Sequence, residues 1–320
     1  MISKKNNYPV EKSSTKGIPS LGIQKHNGKV LVVHEEMKTE QYETAGSISR
    51  FFHFVWVIFL NILPIKLGTK IFTQSSRDAK TVRDNATTYK ALEIMYNFQL
   101  GTVFRNGMLD GLFTYIWHHL YSVRGTRNRL KMVKKLLRQE IDRLLLEKKE
   151  INVLSLGSGS ARAVLETIKE YKGDVVINFL GIDKNNYAIA YCKKLAAELG
   201  VHRITLVQDK VTNILSILQN NNFSPDIVEM VGLLDYFTQD KAIRLMKMIK
   251  ENMHEKAALI TCNIRENPEK KFVTSIVSWP MVYRTEMDMS EIITQSGFEP
   301  QKAKLIIDPL KVHMLALIHT

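Results

Sequence analysis

The chain has 320 residues, of which 45% are apolar and 24% charged, and its formal net charge is +13. The apolar fraction suffices for a real core, and the length allows one large domain with an appendage or two small domains. Its two cysteines, Cys192 and Cys262, lie far apart without metal-type spacing. The composition therefore excludes a disulfide framework and indicates a reducing, cytoplasmic compartment.

The N-terminal residues are polar. Residues 1–30 are rich in Lys, Asn, Ser and Pro and lack the apolar stretch of a signal peptide. We therefore expect a disordered or loosely ordered tail over residues 1–45, followed by a helical segment over residues 46–147.

The first long apolar run covers residues 51–65 and has no formal charge apart from any on His53, with Arg50 and Lys66 on its flanks. As a helix it would be about 22 Å long, short of a hydrocarbon core of about 30 Å, so a full membrane span is not expected. Three interpretations remain: an interfacial helix, a hydrophobic cap over an acyl pocket, or an ordinary buried helix. The basic flanks favour peripheral contact with a membrane surface.

A basic amphipathic helix is predicted between residues 121 and 150, where ten basic residues outnumber four acidic ones. Apolar residues recur there every three or four positions, from Leu130 to Leu144. The charges indicate either an anionic partner, such as RNA or lipid headgroups, or a solvated face whose apolar stripe packs on the following domain. Aromatic residues are not interleaved with these charges, which argues against a groove for single-stranded nucleic acid.

Residues 151–162 read INVLSLGSGSAR, which predicts a strand, a glycine turn and the start of a helix. The turn at Gly157-Ser158-Gly159 lets a ligand approach the backbone closely, and the helix N-terminus presents free N–H groups. A dinucleotide-binding fold would require a third glycine at position 162, where this chain has Arg162.

The turn is instead similar to that of class I S-adenosylmethionine (SAM) methyltransferases, which usually read Asp/Glu-x-Gly-x-Gly-x-Gly. Ser155 stands at the acidic position and Ala161 at the third glycine. The resemblance implies SAM as the cofactor.

Two carboxylates follow later strands. A buried strand over residues 175–183 ends in Asp183, which could accept the ribose hydroxyls of a nucleoside ligand or be a solvated strand-end residue. The strand over residues 204–209 ends in Asp209, where methyltransferases place a polar residue beside the adenine amino group. The alternative for Asp209 is a simple loop position.

The remaining strands complete a sheet. Apolar runs at residues 226–231 and 257–263 predict the fourth and fifth strands. Two final runs, 303–307 and 312–318, are joined by a short link, which predicts a hairpin and an antiparallel last strand. Residues 148–320 are therefore predicted to form an α/β domain with a seven-stranded, doubly wound, Rossmann-like methyltransferase sheet.

More specifically, the chain resembles a bacterial group of methyltransferases that includes enzymes making methyl esters of hydroxy fatty acids. The resemblance covers roughly residues 85–320 and keeps the order of five segments: 88–96, 127–129, 155–162, 232–236 and 279–285. It implies O-methylation of a small apolar acceptor, such as a fatty-acid-like carboxylate. The cofactor-binding residues predicted from both resemblances are Ser155, Gly157, Ser158, Gly159, Ala161, Arg162, Asp183, Asp209 and Gly232.

Methyl transfer needs an aligned nucleophile and an acceptor site without water, and a carboxylate needs only a cation or donors to orient it. The predicted catalytic residues are Asp235, Tyr236 and Arg284. Arg284 could clamp a carboxylate with two hydrogen bonds, or pair with an acidic neighbour such as Glu286. Asp235 and Tyr236 lie just after the fourth strand, where this fold meets its acceptor, or they cap and pack the following helix.

Two other functions remain open. An RNA methyltransferase would use the basic helix, but the chain lacks both the Asn/Asp-Pro-Pro-aromatic motif after the fourth strand and a Pro-Cys nucleophile, so no nucleic-acid partner is expected. A non-catalytic cofactor-binding protein is the second alternative, because Ser155 replaces the usual acidic residue. No metal site is predicted.

Overall fold

The computed structural model describes residues 30–34 and 42–320. Its strands are β1 (Leu31–His34), β2 (Glu150–Leu156), β3 (Val176–Asp183), β4 (Ile204–Gln208), β5 (Ile227–Met230), β6 (Ala258–Ile264), β7 (Ala303–Ile307) and β8 (His313–His319). Its helices are α1 (Ser47–Ile62), α2 (Ile65–Ser75), α3 (Arg77–Asp84), α4 (Tyr89–Tyr96), α5 (Met108–His118), α6 (Tyr121–Leu145), α7 (Arg162–Ile168), α8 (Asn186–Leu199), α9 (Ile214–Asn220), α10 (Gln239–Glu251) and α11 (Glu286–Gln295).

The strands form one sheet in the order β1-β7-β8-β6-β5-β2-β3-β4. Only β8 runs antiparallel to its neighbours, β6 and β7, and the other pairs are parallel. The predicted doubly wound sheet with an antiparallel last strand is thus confirmed. The central strands β5 and β6 are buried on both faces, and they therefore read as near-continuous apolar runs rather than as alternating ones.

Helices cover both faces of the sheet. The apolar sides of α6, α7 and α8 form one core cluster with β2 and β3, and those of α9, α10 and α11 form a second cluster on the opposite face. Ligands of doubly wound folds bind at the carboxyl ends of the parallel strands, here those of β2 to β5.

The N-terminal helices have a core of their own. Side chains of α1, α3, α4 and α5 pack together with the start of α6 and with a single π-helical turn, Phe272–Ile276. Among the described residues no single helix is long and apolar enough to cross a membrane. The pair α1 and α2, which is bent by 119°, reaches that length and composition only together.

The predicted N-terminal tail has structure in two places. Residues 30–34 contain β1, which pairs in parallel with β7 and makes the sheet eight-stranded, and Val30 is buried in the core. Tyr42 is also buried, and the Glu43 backbone exchanges two hydrogen bonds with the Asn128 side chain, at 2.7 and 2.8 Å. The tail prediction is wrong at these positions, because the edge of β7 supplies partners for a short β-branched run. Residues 1–29 and 35–41 lie outside the described residues.

Candidate active site

A cleft of about 720 Å³ opens at the carboxyl ends of the parallel strands. One side consists of the turns after β2, β3, β4 and β5, and the other consists of α4, α6 and the segment around Trp279. The structure brings these sequence-predicted residues together along it: Gly157, Ser158, Gly159, Ala161, Arg162, Asp183, Asp209, Gly232 and Tyr236.

The glycine turn has left-handed backbone. Gly157 and Gly159 have φ of 65° and 55°, and Ala161, at the third glycine position, has φ of 50°. A Cβ on Gly157 would sit 3.3 Å from the Leu233 side chain, so a side chain there would narrow the cleft. The positive φ and the nearby Leu233 side chain therefore both favour glycine at position 157. Ala161 has a left-handed conformation that alanine adopts only at a cost in free energy.

Two carboxylates line the cleft beside this turn. Asp183 accepts one hydrogen bond on each oxygen, from the backbone N–H groups of Gly159 and Asn185, both at 2.8 Å. A carboxylate has about four acceptor positions, so Asp183 retains capacity for ribose hydroxyls. Asp209 accepts from Lys210 N and the Asn213 side chain through Oδ1, at 2.7 and 2.8 Å. This set of groups fits SAM: a cleft of suitable volume, a bare backbone turn and two carboxylates at strand ends.

Ser155 does not line the cleft. It is fully buried in β2, and its hydroxyl donates to Glu229 Oε2 on the neighbouring strand β5 at 2.5 Å. Glu229 does line the cleft, and burial raises the pKa of its carboxyl to about 7, opposed by the hydrogen bonds from Ser155 and Val231. The prediction that Ser155 lines the cofactor site is therefore wrong, and the acidic side chain that lines the cleft at this level is Glu229 on the neighbouring strand.

Arg162 is occupied by protein carboxylates. Its Nε donates to both oxygens of Glu93 at 3.0 Å, and its Nη1 donates to Glu166 at 2.9 Å. Glu93 also accepts from the Tyr191 hydroxyl at 2.9 Å. These bonds tie α4 to the helix after the glycine turn, so Arg162 positions the cover of the cleft.

A second, mostly apolar cavity of about 70 Å³ adjoins the cleft. Its walls come from α4, α5, α6 and the π-helical turn, with Trp117, Phe272 and Val277 among them. Five residues line both spaces and form the junction between them: Leu92, Arg129, Gly232, Tyr236 and Trp279.

Arg129 is the junction residue that sequence reasoning missed. It is only 5% exposed, its Nη2 donates to the Tyr96 hydroxyl at 3.2 Å, and its Nε has no partner among the described residues. A Cβ on Gly232 would lie 3.4 Å from Nη1. A signal was available, because Arg129 precedes Val133 by one helical turn and so belongs to the apolar face of α6.

Tyr236 and its neighbour Asp235 occupy different positions at the junction, because only Tyr236 lines both spaces. The Tyr236 hydroxyl accepts from Trp279 Nε1 at 2.8 Å, and burial, together with nearby Asp235, raises its pKa to about 12. Asp235 lines only the second cavity, where its Oδ1 accepts from Ile264 N at 2.7 Å. Burial raises the pKa of the Asp235 carboxyl.

Arg284 lines neither space, which contradicts its predicted role as a carboxylate clamp. Its guanidinium is buried and donates to the backbone oxygens of Leu234 and Phe237 at 2.9 and 2.5 Å. It also donates to Asn263 Oδ1 at 2.5 Å and to Gln239 Oε1 at 3.2 Å. These bonds occupy the Nε, Nη1 and Nη2 donors of the guanidinium, so Arg284 holds the segment after β5 in place.

The charged side chains of α6 are largely engaged inside the protein. Arg127 donates to Glu43 and to the His118 backbone oxygen, and Lys134 contacts Glu166 at 2.9 Å. These contacts match the interpretation in which α6 packs against the domain.

The Rossmann-like sheet with one antiparallel strand, together with a glycine-turn cleft that fits SAM, is the architecture of a class I SAM-dependent methyltransferase. Residues 103–319 match the family described as "Putative methyltransferase", and the chain belongs to that family. The protein is accordingly a SAM-dependent methyltransferase. No curated protein matches the chain.

Solved structures share the fold at low identity. A protein described as a possible exported protein from Bordetella parapertussis is 13% identical, with a TM-score of 0.62 over 87% of this chain and 99% of its own. Magnesium protoporphyrin IX methyltransferase from Synechocystis PCC 6803 with bound SAH is 12% identical, with a TM-score of 0.51 over 76% of this chain and 100% of its own. The CurJ carbon methyltransferase is 11% identical, with a TM-score of 0.53 over 81% and 71% of the two chains.

Proposed function

We propose that the protein methylates the carboxylate of an apolar, fatty-acid-like acceptor. The observation that carries the proposal is the environment of Arg129. A guanidinium remains protonated in proteins, and buried charges are normally paired. Arg129 is buried at the junction of the cleft and the apolar cavity, and among the described residues its Nε has no partner and no carboxylate accepts a hydrogen bond from it. The buried carboxyls of Asp235 and Glu229 interact with it only at longer range. An acceptor carboxylate would bond directly to the unused donors while its chain occupies the apolar cavity.

The chemistry asks little of the protein beyond alignment. When bound, SAM supplies an electrophilic methyl group on a positively charged sulfur. One carboxylate oxygen of the acceptor forms the new bond to the methyl carbon while the sulfur–methyl bond breaks, so no proton has to be removed. Arg129 would hold the carboxylate in line, and the apolar walls would exclude water.

Tyr236 suits the role of a second donor. Because its oxygen already accepts from Trp279, the hydroxyl proton is free to point elsewhere. A phenol whose pKa is raised to about 12 keeps that proton at neutral pH, so Tyr236 would donate to the acceptor carboxylate rather than act as a base.

The groups around the second cavity favour a carboxylate over a hydroxyl acceptor, which would require a base. His313 lines this cavity, but burial and the nearby Arg129 hold its pKa well below the usual range, which makes it a weak base.

The second cavity is too small for a long acyl chain, but a third space adjoins it. This apolar cavity of about 260 Å³ lies under α1 and α2 and shares the walls Trp117, Leu120 and Phe272 with the second. Movement of these side chains would join the two spaces, which supports an acceptor with an extended apolar chain.

On the cofactor side, we propose that the backbone at Gly157 and Gly159 lies against SAM and that Asp183 accepts the ribose hydroxyls. Asp209 would face the adenine amino group. Glu229 would take the part that an acidic residue at position 155 has in the wider class, opposite the positive charge of the cofactor.

The test is transfer of a radiolabelled methyl group from SAM into a cell lysate, followed by separation of lipid, protein and RNA. We expect label in the lipid fraction that mild alkali releases as volatile methanol, because methyl esters hydrolyse and methyl ethers or amines do not. Asp183→Ala, with its weakened cofactor site, should strongly reduce the labelling at low SAM concentration. Label in RNA, or alkali-stable label in lipid, would contradict the proposal.

A further inference from the structure

Helix α1 has its apolar side turned outward. An ordinary surface helix exposes polar residues and buries apolar ones. In α1 the exposed side chains are large and apolar, with Phe51, Phe52 and Phe54 each at least 63% exposed. The same face continues through Ile58, Phe59 and Ile62. A contiguous apolar surface of this kind marks an interaction site.

The opposite side of α1 is held firmly against the protein. His53 Nε2 lies 2.6 Å from Glu269 Oε1, and its ring stacks on Tyr121 with centroids 3.5 Å apart. Glu269 is itself buried and accepts the N–H groups of Tyr121 and Ser122 at 2.8 and 2.7 Å, which caps the start of α6. Val57 and Leu60 are buried on the same side. The outward face is therefore presented by a fixed helix.

The charge around this face has one sign. Residues 47–75, which contain α1 and α2, include Arg50, Lys66 and Lys70 and no Asp or Glu. All three cations are exposed. An apolar helix face edged by cations is the pattern of helices that lie in the headgroup region of anionic membranes.

The third cavity lies between α1 and α2 on one side and the active site on the other. Its walls include Trp56 and Phe59 of α1, Ile71 of α2 and Ile116 of α5. It reaches the second cavity at Trp117 and Phe272, and the second cavity reaches the cofactor cleft at Arg129. A row of apolar spaces thus leads from beneath α1 and α2 to the junction.

We propose that the outward face of α1, with Lys66 and Lys70 of α2, docks on an anionic phospholipid bilayer. The helix would lie along the surface with its phenylalanines among the acyl chains and its cations at the headgroups. Entry of the acceptor from the bilayer through the third cavity rests on the proposed function, whereas the docking does not.

Sedimentation of the full chain with phosphatidylcholine vesicles, with and without phosphatidylglycerol, tests the docking without acceptor or SAM. We expect binding to the anionic vesicles. The double variant Phe52→Ser/Phe54→Ser should bind at least about a hundredfold more weakly, because two aromatic side chains lose their burial. The matched control is Leu146→Ser/Met287→Ser, which removes from the sheet domain two apolar side chains that are at least as exposed and should bind as the unaltered protein does.

The charge contribution is tested with Lys66→Glu/Lys70→Glu, which should weaken binding to anionic vesicles by about thirtyfold or more and hardly change binding to neutral ones. The control Lys193→Glu/Lys247→Glu makes the same charge change on exposed residues of α8 and α10. Equal losses in both charge variants would show attraction by net charge alone and overturn the assignment to α1 and α2.

Two further results would overturn the proposal: vesicle binding that the phenylalanine variant leaves unchanged, or self-association of the unaltered chain that this variant abolishes in solution. The second would assign the face to another copy of the protein. Methylation of a soluble short-chain carboxylate should not change in the phenylalanine variant. Loss of docking and failure of the proposed chemistry are therefore observed separately.

Discussion

The two sides of the active-site cleft are formed by different parts of the structure, the sheet on one side and the helical cover on the other. The side that we propose binds the cofactor consists of backbone at the turns after β2 and β5 and of carboxylates at the ends of β3 and β4, all within one sheet. The side that we propose binds the acceptor consists of side chains from α4, α5, α6 and the π-helical turn, with Arg129 as its buried cation. Affinity for the cofactor should therefore depend on strand ends, whereas acceptor choice should depend on how the helical cover packs.

Asp183→Ala should have the largest effect on the cofactor side. Removal of two charge-assisted hydrogen bonds to the ribose, at about 1.5 kcal/mol each, should weaken SAM binding by about 3 kcal/mol, or roughly 150-fold. Titration calorimetry measures this change directly. Asp174→Ala, at an exposed position outside the cleft, is the control, and Asp183→Asn checks that the turn at Gly159 still folds. An unchanged affinity in Asp183→Ala would remove this residue from the cofactor site.

Glu229 should make the stability of the fold depend on pH. Burial raises the pKa of its carboxyl to about 7 in the folded protein, against an ordinary value of 4.5. Between these values the unfolded chain has lost the proton and the folded chain keeps it, so this group's contribution to stability is complete below pH 4.5 and is lost as the pH rises to about 7. The loss is on the order of 3 kcal/mol.

Chemical denaturation at several pH values measures this contribution. Glu229→Gln should show a flatter fall of unfolding free energy across the window, because glutamine does not titrate. Identical pH profiles for the two proteins would mean that Glu229 is ionised throughout.

Arg284 offers the contrast with Arg129, since both are buried arginines near β5. Arg284→Lys loses the fork and leaves buried oxygens of Leu234, Phe237 or Asn263 unsatisfied, so we expect about 2 kcal/mol lower stability. Turnover per folded molecule should stay near that of the unaltered protein. The exposed Arg244→Lys is the control. Normal stability together with impaired acceptor binding in Arg284→Lys would show that Arg284 contacts the acceptor after all.

The smallest effect is expected at Ala161. Its φ of 50° is a conformation that glycine adopts without strain. Ala161→Gly should therefore stabilise the fold by up to about 1 kcal/mol and leave SAM affinity nearly unchanged. A loss of stability on thermal unfolding would show that the methyl group packs favourably enough to outweigh the strain.

These residues also show which parts of the site are predictable. Gly157, Asp183 and Asp209 could be placed from sequence, because strand ends and the turns after them share one edge of a parallel sheet. Arg284, in the loop before α11, and Ser155, near the end of β2, could not, since only tertiary packing decides whether their side chains point into the cleft or beneath it.

The side proposed for the acceptor cannot be predicted in this way, because it is formed by contacts between distant parts of the chain, such as that of Arg129 with Tyr96. The strand at residues 31–34 is not predictable from sequence, because its short Leu-Val-Val run lies within a polar segment.

The most direct test of the central claim is the kinetics of Arg129→Lys with a fatty-acid carboxylate as acceptor. Lysine keeps the charge but not the fork, so catalytic efficiency toward the acceptor should fall by about a hundredfold, while the dissociation constant for SAM stays within about twofold. The opposite result, weaker SAM binding with an unchanged acceptor KM, would assign Arg129 to the cofactor and contradict the claim.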